Sequence, residues 1–277
     1  PMRRAVSLPL LTALAGLAAT AAAAPRPERP DIRHAVLAEA SPSTPEISTA
    51  DLERILSDAS ATVFDTRPFR EFAVGHIPGA RNLSAKPGVA ISLYVSDAAE
   101  VGRVVGGDRK AAIVLYCNGP FCGKSKRLAE ELLAAGYSNV RRYQLGIPVW
   151  RALGGVTEIE PEGLAYVLGG DATAVVIDAR EPDAFRAGTI ARARNLPRSG
   201  VLDGKDVGEV KRAKDDGRLP MEDHNTRLIV VGSSAEEARH VARALAREAF
   251  HNVSYFPGPF EQARAAARGV RTPVPQP

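Results

Sequence analysis

The sequence has little cysteine, little excess charge and few long apolar runs. Its 277 residues include two cysteines, too few for a thiolate metal site, so we expect no metal and no cofactor. The formal net charge is +4, and Arg3 and Arg4 contribute half of it, so nucleic-acid binding has little support. Apart from residues 6–24, no stretch is apolar enough to suggest a membrane span.

Residues 1–24 have the pattern of a secretory signal peptide. Arg3 and Arg4 form a short basic region, and an apolar run rich in Leu and Ala follows and ends in four alanines. These are the parts of a cleavable export signal, and the run is short for a membrane anchor. We therefore expect an exported protein, periplasmic or secreted, with no stable membrane span after cleavage. Either Sec or twin-arginine export fits the arginine pair.

The next residues predict a linker and then an α/β domain. Residues 25–46 are rich in Pro, Ala and Ser, as in a flexible linker. Ser48 with Asp51 indicates a helix start. The apolar run 113–116 predicts a buried strand, and residues 125–135 predict an amphipathic helix ending at Gly136. Strand, helix and strand in that order predict a parallel sheet flanked by helices.

This pattern occurs twice in the chain, at an offset of 113 residues. The identical pairs are Asp65 and Asp178, Arg67 and Arg180, Phe72 and Phe185, Gly75 and Gly188, Asn82 and Asn195, and Asn139 and Asn252. We therefore predict two tandem domains, residues 47–154 and 155–277. Run 113–116 aligns with run 228–231 at an offset of 115 instead. Two extra residues therefore belong to the first copy, and we place them in the loop after this strand.

That loop begins with Cys117, directly after the predicted strand. Open parallel sheets bind ligands at the carboxyl ends of their strands. Loop amides and the helix dipole stabilise an anion there, and the same field favours the thiolate, which is the nucleophilic form of cysteine. Gly119, Pro120 and Gly123 suit a tightly curved loop, and Lys124 adds a positive charge. The first copy is therefore the predicted working site.

The motif before this loop resembles the rhodanese family of sulfurtransferases. Asp65-x-Arg67 is followed by Glu71-Phe72-x-x-Gly-His76-Ile-Pro-Gly-Ala-Arg-Asn82 and then by the cysteine loop, and the resemblance covers both copies. It implies two rhodanese-like domains, each a parallel sheet flanked by helices. It also implies transfer of sulfane sulfur from a small sulfur-containing anion such as thiosulfate, through a cysteine persulfide, to a thiol or protein acceptor.

By the same resemblance, Cys117 carries the persulfide. The implied substrate-binding loop consists of Asn118, Gly119, Pro120, Phe121, Cys122, Gly123, Lys124 and Ser125. Ser125 lies eight residues after Cys117, two more than is usual in the family, so a larger donor or a protein is possible in place of thiosulfate. Phosphatases of this fold need an Arg six residues after the cysteine, and Gly123 stands there, which argues against phosphatase activity.

Cys122 has three interpretations. In the first, Cys122 resolves the persulfide on Cys117 into a disulfide. In the second, it is a structural disulfide partner that prevents sulfur transfer. In the third, it is a small apolar side chain that fills space. An oxidising compartment favours the first two. A rival function from another class is a non-enzymatic binding or redox module of the cell envelope.

The motif residues around the loop are predicted to be structural. We expect Asp65 and Arg67 to pair with the backbone or with Glu71, and His76 to hold a turn, since an attacking thiolate needs no base. In the second copy, Gly232 takes the place of the cysteine, and Glu236 and Glu237 lie at the following helix start, where they would repel an anionic donor. This copy has no nucleophile, so we predict a role in support or partner recognition.

Overall fold

A computed structural model of the protein describes residues 31–83 and 98–269. The predicted signal peptide, residues 1–24, lies outside the described residues. Among the residues that are described, no helix combines the length and apolar character needed to cross a membrane. The first copy contains β1 (Thr62–Asp65), β2 (Arg81–Asn82), β3 (Ile113–Tyr116), β4 (Val140–Tyr143), α1 (Thr49–Asp58), α2 (Phe69–Val74), α3 (Ala98–Val104), α4 (Gly123–Ala134) and α5 (Gly146–Ala152).

The second copy has the same plan with additions. It contains β5 (Thr157–Glu158), β6 (Val175–Asp178), β7 (Arg194–Asn195), β8 (Leu228–Val231), β9 (Val253–Tyr255), α6 (Pro161–Gly170), α7 (Pro182–Ala187), α8 (Gly208–Asp215), α9 (Ala235–Arg247) and α10 (Phe260–Arg268). Short 3-10 turns at Ile32–His34 and Arg198–Gly200 complete the described elements.

Each copy forms a parallel sheet. The strand order is β2-β1-β3-β4 in the first sheet and β5-β9-β8-β6-β7 in the second. Equivalent strands have the same order in the two sheets, and the second sheet has one more strand, β5, at its edge beside β9. The predicted fold class, α/β with two parallel sheets flanked by helices, is confirmed.

The central strands are buried on both faces, which explains their unbroken apolar sequence. In β3, Val114 and Tyr116 pack towards α1 and α5, whereas Ile113 and Leu115 pack towards α3 and α4. Side chains alternate between the two faces of a strand, so a strand covered by helices on both sides has no polar positions. The equivalent strand β8 is buried throughout in the same way.

Strand registers reproduce the predicted offsets. Phe64 pairs with Arg81 in the first sheet and Ile177 pairs with Arg194 in the second, so both partners move by 113. Ile113 and its equivalent Leu228 differ by 115. Between strand and helix, the first copy has residues 117–122 and the second has only 232–234, so the extra length lies in the cysteine loop.

The chain before α1 packs on the first domain. Arg142 on β4 is fully buried, forms an ion pair with Glu39 and donates from Nε to the Thr44 hydroxyl over 3.1 Å. The backbone of Arg142 also bonds with Pro45 over 3.0 Å and with Ile47 over 2.9 Å. Composition predicts a flexible linker over residues 25–46; in the described part of this segment, Glu39 and Thr44 contact the buried Arg142 side chain and Glu39 neutralises its charge.

The two domains meet closely along α2 and α6. A Cβ atom added at Gly163 on α6 would lie 1.9 Å from the carbonyl oxygen of Ala73 on α2. The amide of Glu160 donates to that same carbonyl over 2.8 Å. Only glycine therefore fits at this helix crossing, because a side chain would collide with the Ala73 carbonyl.

β5 also joins the domains through its backbone. Glu158 of β5 forms an isolated antiparallel bridge with His76, with N–O distances of 3.0 and 2.9 Å. Trp150 on α5 is buried in the core of the first domain and also donates from Nε1 to the Val156 carbonyl over 2.9 Å. The loop between α2 and β2 of the first domain, called the motif loop below, is therefore paired with the edge of the second sheet.

Gly163→Ala is expected to destabilise the protein. The added methyl group has no room at the helix crossing, so we expect the free energy of unfolding to fall by about 1–3 kcal/mol, as for an overpacked core site. Chemical denaturation of both proteins measures this difference. Gly170→Ala, on the same helix with no atom within 4 Å of the added Cβ, is the matched control. Equal losses in the two variants would contradict the steric explanation.

Candidate functional site

Cys117 lies at the carboxyl edge of the first sheet and faces the start of α4. It follows β3 directly and is only 2% exposed. The loop turns at Gly119, whose φ of +103° lies in the region that favours glycine. The Cys122 amide donates to the Gly119 carbonyl over 3.0 Å, and Cys122 is the N-cap residue of α4. The first turn of α4, with its unpaired amides, thus follows the loop immediately.

The segment from the end of β4 to the start of α5 also contacts this loop, and the sequence did not predict that contact. A Cβ added at Gly146 would lie 2.4 Å from both the Cys117 carbonyl oxygen and the Gly119 nitrogen. Ile147 donates its amide to the Cys117 carbonyl over 3.1 Å, and Gln144 donates from Nε2 to the Pro120 carbonyl over 3.2 Å. The available signal was a glycine placed just after β4, at the same edge of the sheet as Cys117.

The remaining loop residues differ in exposure. Asn118 is exposed and donates a hydrogen bond to the Glu71 carboxylate. Phe121 is the most exposed large apolar side chain in the described part of the protein. Gly123 and Lys124 begin α4, and Ser125 is buried beneath them. The structure therefore gathers all the predicted loop residues around the Cys117 backbone, with an apolar ring at the tip of the loop.

The two cysteines form a disulfide. Cys117 and Cys122 are bonded through sulfur, with their Cα atoms 6.2 Å apart, within the usual span of a disulfide. This bond rules out the interpretation of Cys122 as an apolar filler. Cys117 is buried while Cys122 is partly exposed, so solvent reaches the bond from the side of Cys122.

Asp65 and Arg67 form a buried ion pair at the end of β1. Arg67 donates from Nε to both Asp65 oxygens over 3.0 Å and from Nη2 to the Gly75 carbonyl over 2.8 Å. The Tyr116 hydroxyl donates to Asp65 over 2.6 Å. Burial acts to lower the pKa of Arg67, but Asp65 outweighs it and the pKa is raised. The pair therefore links the ends of β1 and β3 to the motif loop.

The second copy keeps this pair without any cysteine. Arg180 donates to Asp178 over 3.0 Å and to the Gly188 carbonyl over 2.7 Å. Thr189 supplies the hydroxyl bond to Asp178, over 2.7 Å, that Tyr116 supplies in the first copy. Because the network persists in a domain with no nucleophile, its geometry is that of a structural element.

His76 lies at the domain junction and faces carboxylates of the second domain. Its ring stacks on Phe72 with centroids 3.7 Å apart, and Nδ1 lies 3.1 Å from the Phe72 carbonyl. Nε2 lies 3.3 Å from Glu158 and 3.7 Å from Glu160. The sequence predicted a turn residue here, but not its partners, because they lie across the seam between two repeats.

The pKa values of the two carboxyl groups beside His76 are shifted in opposite directions. Burial acts to raise the pKa of Glu158, but hydrogen bonds from His76 and from the Tyr255 hydroxyl outweigh it and hold the pKa below its usual value. Burial raises the pKa of Glu160 above its usual value. The hydrogen bonds from His76 and Tyr255 therefore stabilise the ionised form of Glu158 at this junction.

A carboxylate occupies the corresponding loop of the second copy. The Ser234 hydroxyl accepts a hydrogen bond from the Glu237 amide over 3.2 Å, and the Glu237 carboxylate accepts one from the Ser233 amide. A Cβ added at Gly232 would lie 3.0 Å from that carboxylate. A glutamate side chain therefore lies in the loop of the second copy that corresponds to the cysteine loop of the first.

The described residues contain no group of three or more His, Cys, Asp or Glu side chains arranged to hold a metal ion.

The family model for the rhodanese-like domain matches residues 48–153 and 164–266. The chain belongs to the rhodanese-like family.

Three individual proteins show similarity to this rhodanese-like chain. An HTH-type transcriptional regulator of Mycobacterium tuberculosis is 32% identical over 108 residues, which are 39% of this chain and 42% of the regulator. The chain thus spans less than half of that relative's length. A thiosulfate sulfurtransferase from Pseudomonas aeruginosa is 19% identical over 76% of this chain and 43% of its own, with a TM-score of 0.35. The 3-mercaptopyruvate sulfurtransferase SseA from Escherichia coli is 18% identical over 78% and 98%, with a TM-score of 0.34.

We expect Glu158→Gln to lower the free energy of unfolding at neutral pH, and this loss to shrink in acid. A carboxyl group whose folded pKa is depressed stabilises the fold above its unfolded pKa of about 4.3 and loses this contribution as pH falls through the folded value. Denaturation of both proteins between about pH 3 and pH 7 measures the difference. Glu162→Gln, at an exposed position on α6, is the control. A loss that stays constant with pH would contradict the assignment.

Proposed function

We propose that the protein is an exported sulfurtransferase that carries sulfane sulfur as a persulfide on Cys117. The observation that carries the proposal is the position of Cys117, between the carboxyl end of β3 and the first turn of α4, in a rhodanese-like chain. This is where a parallel sheet collects ligands and where a helix start stabilises negative charge. The second copy, with glycine in place of cysteine, does not perform this chemistry.

The first step is attack of the reduced Cys117 thiolate on the donor. With thiosulfate, the thiolate attacks the sulfane sulfur, the sulfur–sulfur bond of the donor breaks, and sulfite leaves with the electron pair. Amides of the loop and of the first turn of α4 stabilise the anion before and after this step. In the second step, an acceptor thiolate attacks the outer sulfur and Cys117 leaves as a thiolate.

The length and exposure of the Cys117 loop favour a donor or acceptor larger than thiosulfate. It is longer than its counterpart in the second copy, and Phe121 extends from its tip into solvent. Lys124, in the first turn of α4, makes no ion pair with another described residue and is available to an anionic donor. An exposed aromatic ring beside the reacting sulfur suits a protein partner, since such rings are enriched at interfaces.

Export is part of the proposal and rests on the N-terminal sequence. A basic pair, an apolar run and an alanine-rich end are the parts of a cleavable signal. A disulfide persists in the oxidising compartments that such signals lead to, so the Cys117–Cys122 bond fits this location.

Mass spectrometry of reduced protein exposed to thiosulfate tests the persulfide. In Cys122→Ser, where no second thiol competes, we expect Cys117 to gain about 32 Da, the mass of one sulfur atom. Cys117→Ser combined with Cys122→Ser is the matched control and gains nothing. Absence of the adduct together with sulfur transfer that survives Cys117→Ser would refute the proposal.

The disulfide also supports a second candidate, a non-enzymatic redox or binding module of the cell envelope. A permanent bond would remove the Cys117 nucleophile and leave only a scaffold. Free thiols counted on protein taken from the export compartment, before and after mild treatment with a dithiol, separate the two. We expect both thiols to appear and Cys117 to become reactive. A bond that resists reduction in the folded protein favours the module.

A further inference from the structure

The disulfide suggests a chemical role for Cys122 that rests on the proposed function. We propose that Cys122 is a second catalytic residue, which attacks the Cys117 persulfide, releases the transferred sulfur as hydrosulfide and forms the disulfide present in the structure. The loop then contains both the carrier of the sulfur and its first acceptor. The donor's sulfane sulfur is reduced, and the two cysteines are oxidised.

The geometry places Cys122 within reach of this reaction. The two Cα atoms are 6.2 Å apart and the sulfur atoms are bonded, so the loop already brings them together. The turn from the Gly119 carbonyl to the Cys122 amide, at 3.0 Å, and the N-cap position on α4 hold Cys122 beside Cys117. No rearrangement of the sheet is needed for one sulfur to attack the other.

The second copy shows that the fold does not need this bond. β8 and α9 form the same strand–loop–helix unit across residues 232–234, without either cysteine. Its helix is capped by Ser234, where the first copy has Cys122 at the cap position. A disulfide that is dispensable for the unit, and that engages the residue placed to be the nucleophile, is better explained by chemistry than by stability.

The step balances in atoms and electrons. The Cys122 sulfur attacks the Cys117 Sγ of the persulfide, and a Cys117–Cys122 bond forms. The bond between Cys117 Sγ and the outer sulfur breaks, and the outer sulfur leaves with the electron pair. It takes the proton that Cys122 gave up and departs as hydrosulfide.

An external dithiol returns the site to its reduced form. One thiolate of the dithiol attacks Cys122, the more exposed sulfur of the pair, and Cys117 leaves as a thiolate beside the α4 start. The second thiolate of the dithiol then displaces Cys122 and the dithiol becomes a disulfide. With thiosulfate as donor, each cycle converts one thiosulfate and one dithiol into sulfite, hydrosulfide, an oxidised dithiol and a proton.

A single turnover without external thiol tests this role. The protein is reduced with dithiothreitol, freed of it, and mixed with an equal amount of thiosulfate. We expect the unmodified protein to release about one equivalent of hydrosulfide and to end about 2 Da lighter than its reduced form. Cys122→Ser and Cys122→Ala should release sulfite, keep the added sulfur on Cys117, and yield less than about a tenth of that hydrosulfide.

The outcomes separate this inference from the proposed function. Loading of the two Cys122 variants shows that their site is folded and that Cys117 accepts sulfur. If the unmodified protein also keeps a stable persulfide and releases no hydrosulfide, the role of Cys122 is wrong and the sulfurtransferase stands. If neither Cys122 variant takes up sulfur, the proposed function itself fails.

A trapping experiment checks the direction of reopening. Brief treatment of the oxidised protein with 2-mercaptoethanol, followed by alkylation, should leave the mercaptoethanol on Cys122 and the alkyl group on Cys117. This follows from the greater exposure of Cys122. The reverse distribution would overturn the proposed order of attack.

Discussion

The buried ion pair of Asp65 and Arg67 is the interaction on which the candidate site depends. Removing either partner would leave an unpaired charge away from water, a loss of about 3–5 kcal/mol for buried pairs in general. Arg67 reaches the carbonyl of Gly75, and the Tyr116 hydroxyl reaches Asp65, so β1, β3 and the motif loop share one anchor. Cys117 follows Tyr116 directly. The position of Cys117, the proposed nucleophile, is therefore fixed by an ion pair that lies outside the cysteine loop.

The duplicated ion pair explains how one fold unit accommodates two different loops. Both copies keep the anchor, and they differ in the residues after the central strand. The first copy continues into Cys117 and an enlarged loop, whereas the second continues into Gly232 and a short loop whose cradle receives Glu237. The ion pair is present in both copies, although the loops after their central strands differ in length and charge. A loop that carries Cys117 and a loop that contains the Glu237 side chain are thus alternatives after the same strand.

Much of the fold was predictable because its signals are local or periodic. The capping box of Ser48 and Asp51, the buried strands, and the repeat offset all follow from spacing along the chain. The contacts of His76 with the second domain were not predictable, since they join residues that no repeat or period relates. The closeness of Gly146 to Cys117 arises from two separate loops meeting at one edge. The composition of the segment before α1 predicts a flexible linker. It gives no sign of the ion pair between Glu39 and the buried Arg142, because these residues are far apart in the sequence.

β5 has a consequence for how this chain can evolve. One edge of this two-residue strand belongs to the second sheet, and its other edge is paired with the backbone of His76 in the first domain. A duplication usually begins with two units that are each self-sufficient. Here the copy without a cysteine supplies backbone partners and a carboxylate to the copy that has one. Deleting the second copy would expose hydrogen-bonding groups at this edge and the buried His76, so the first copy depends on the second for part of its own structure.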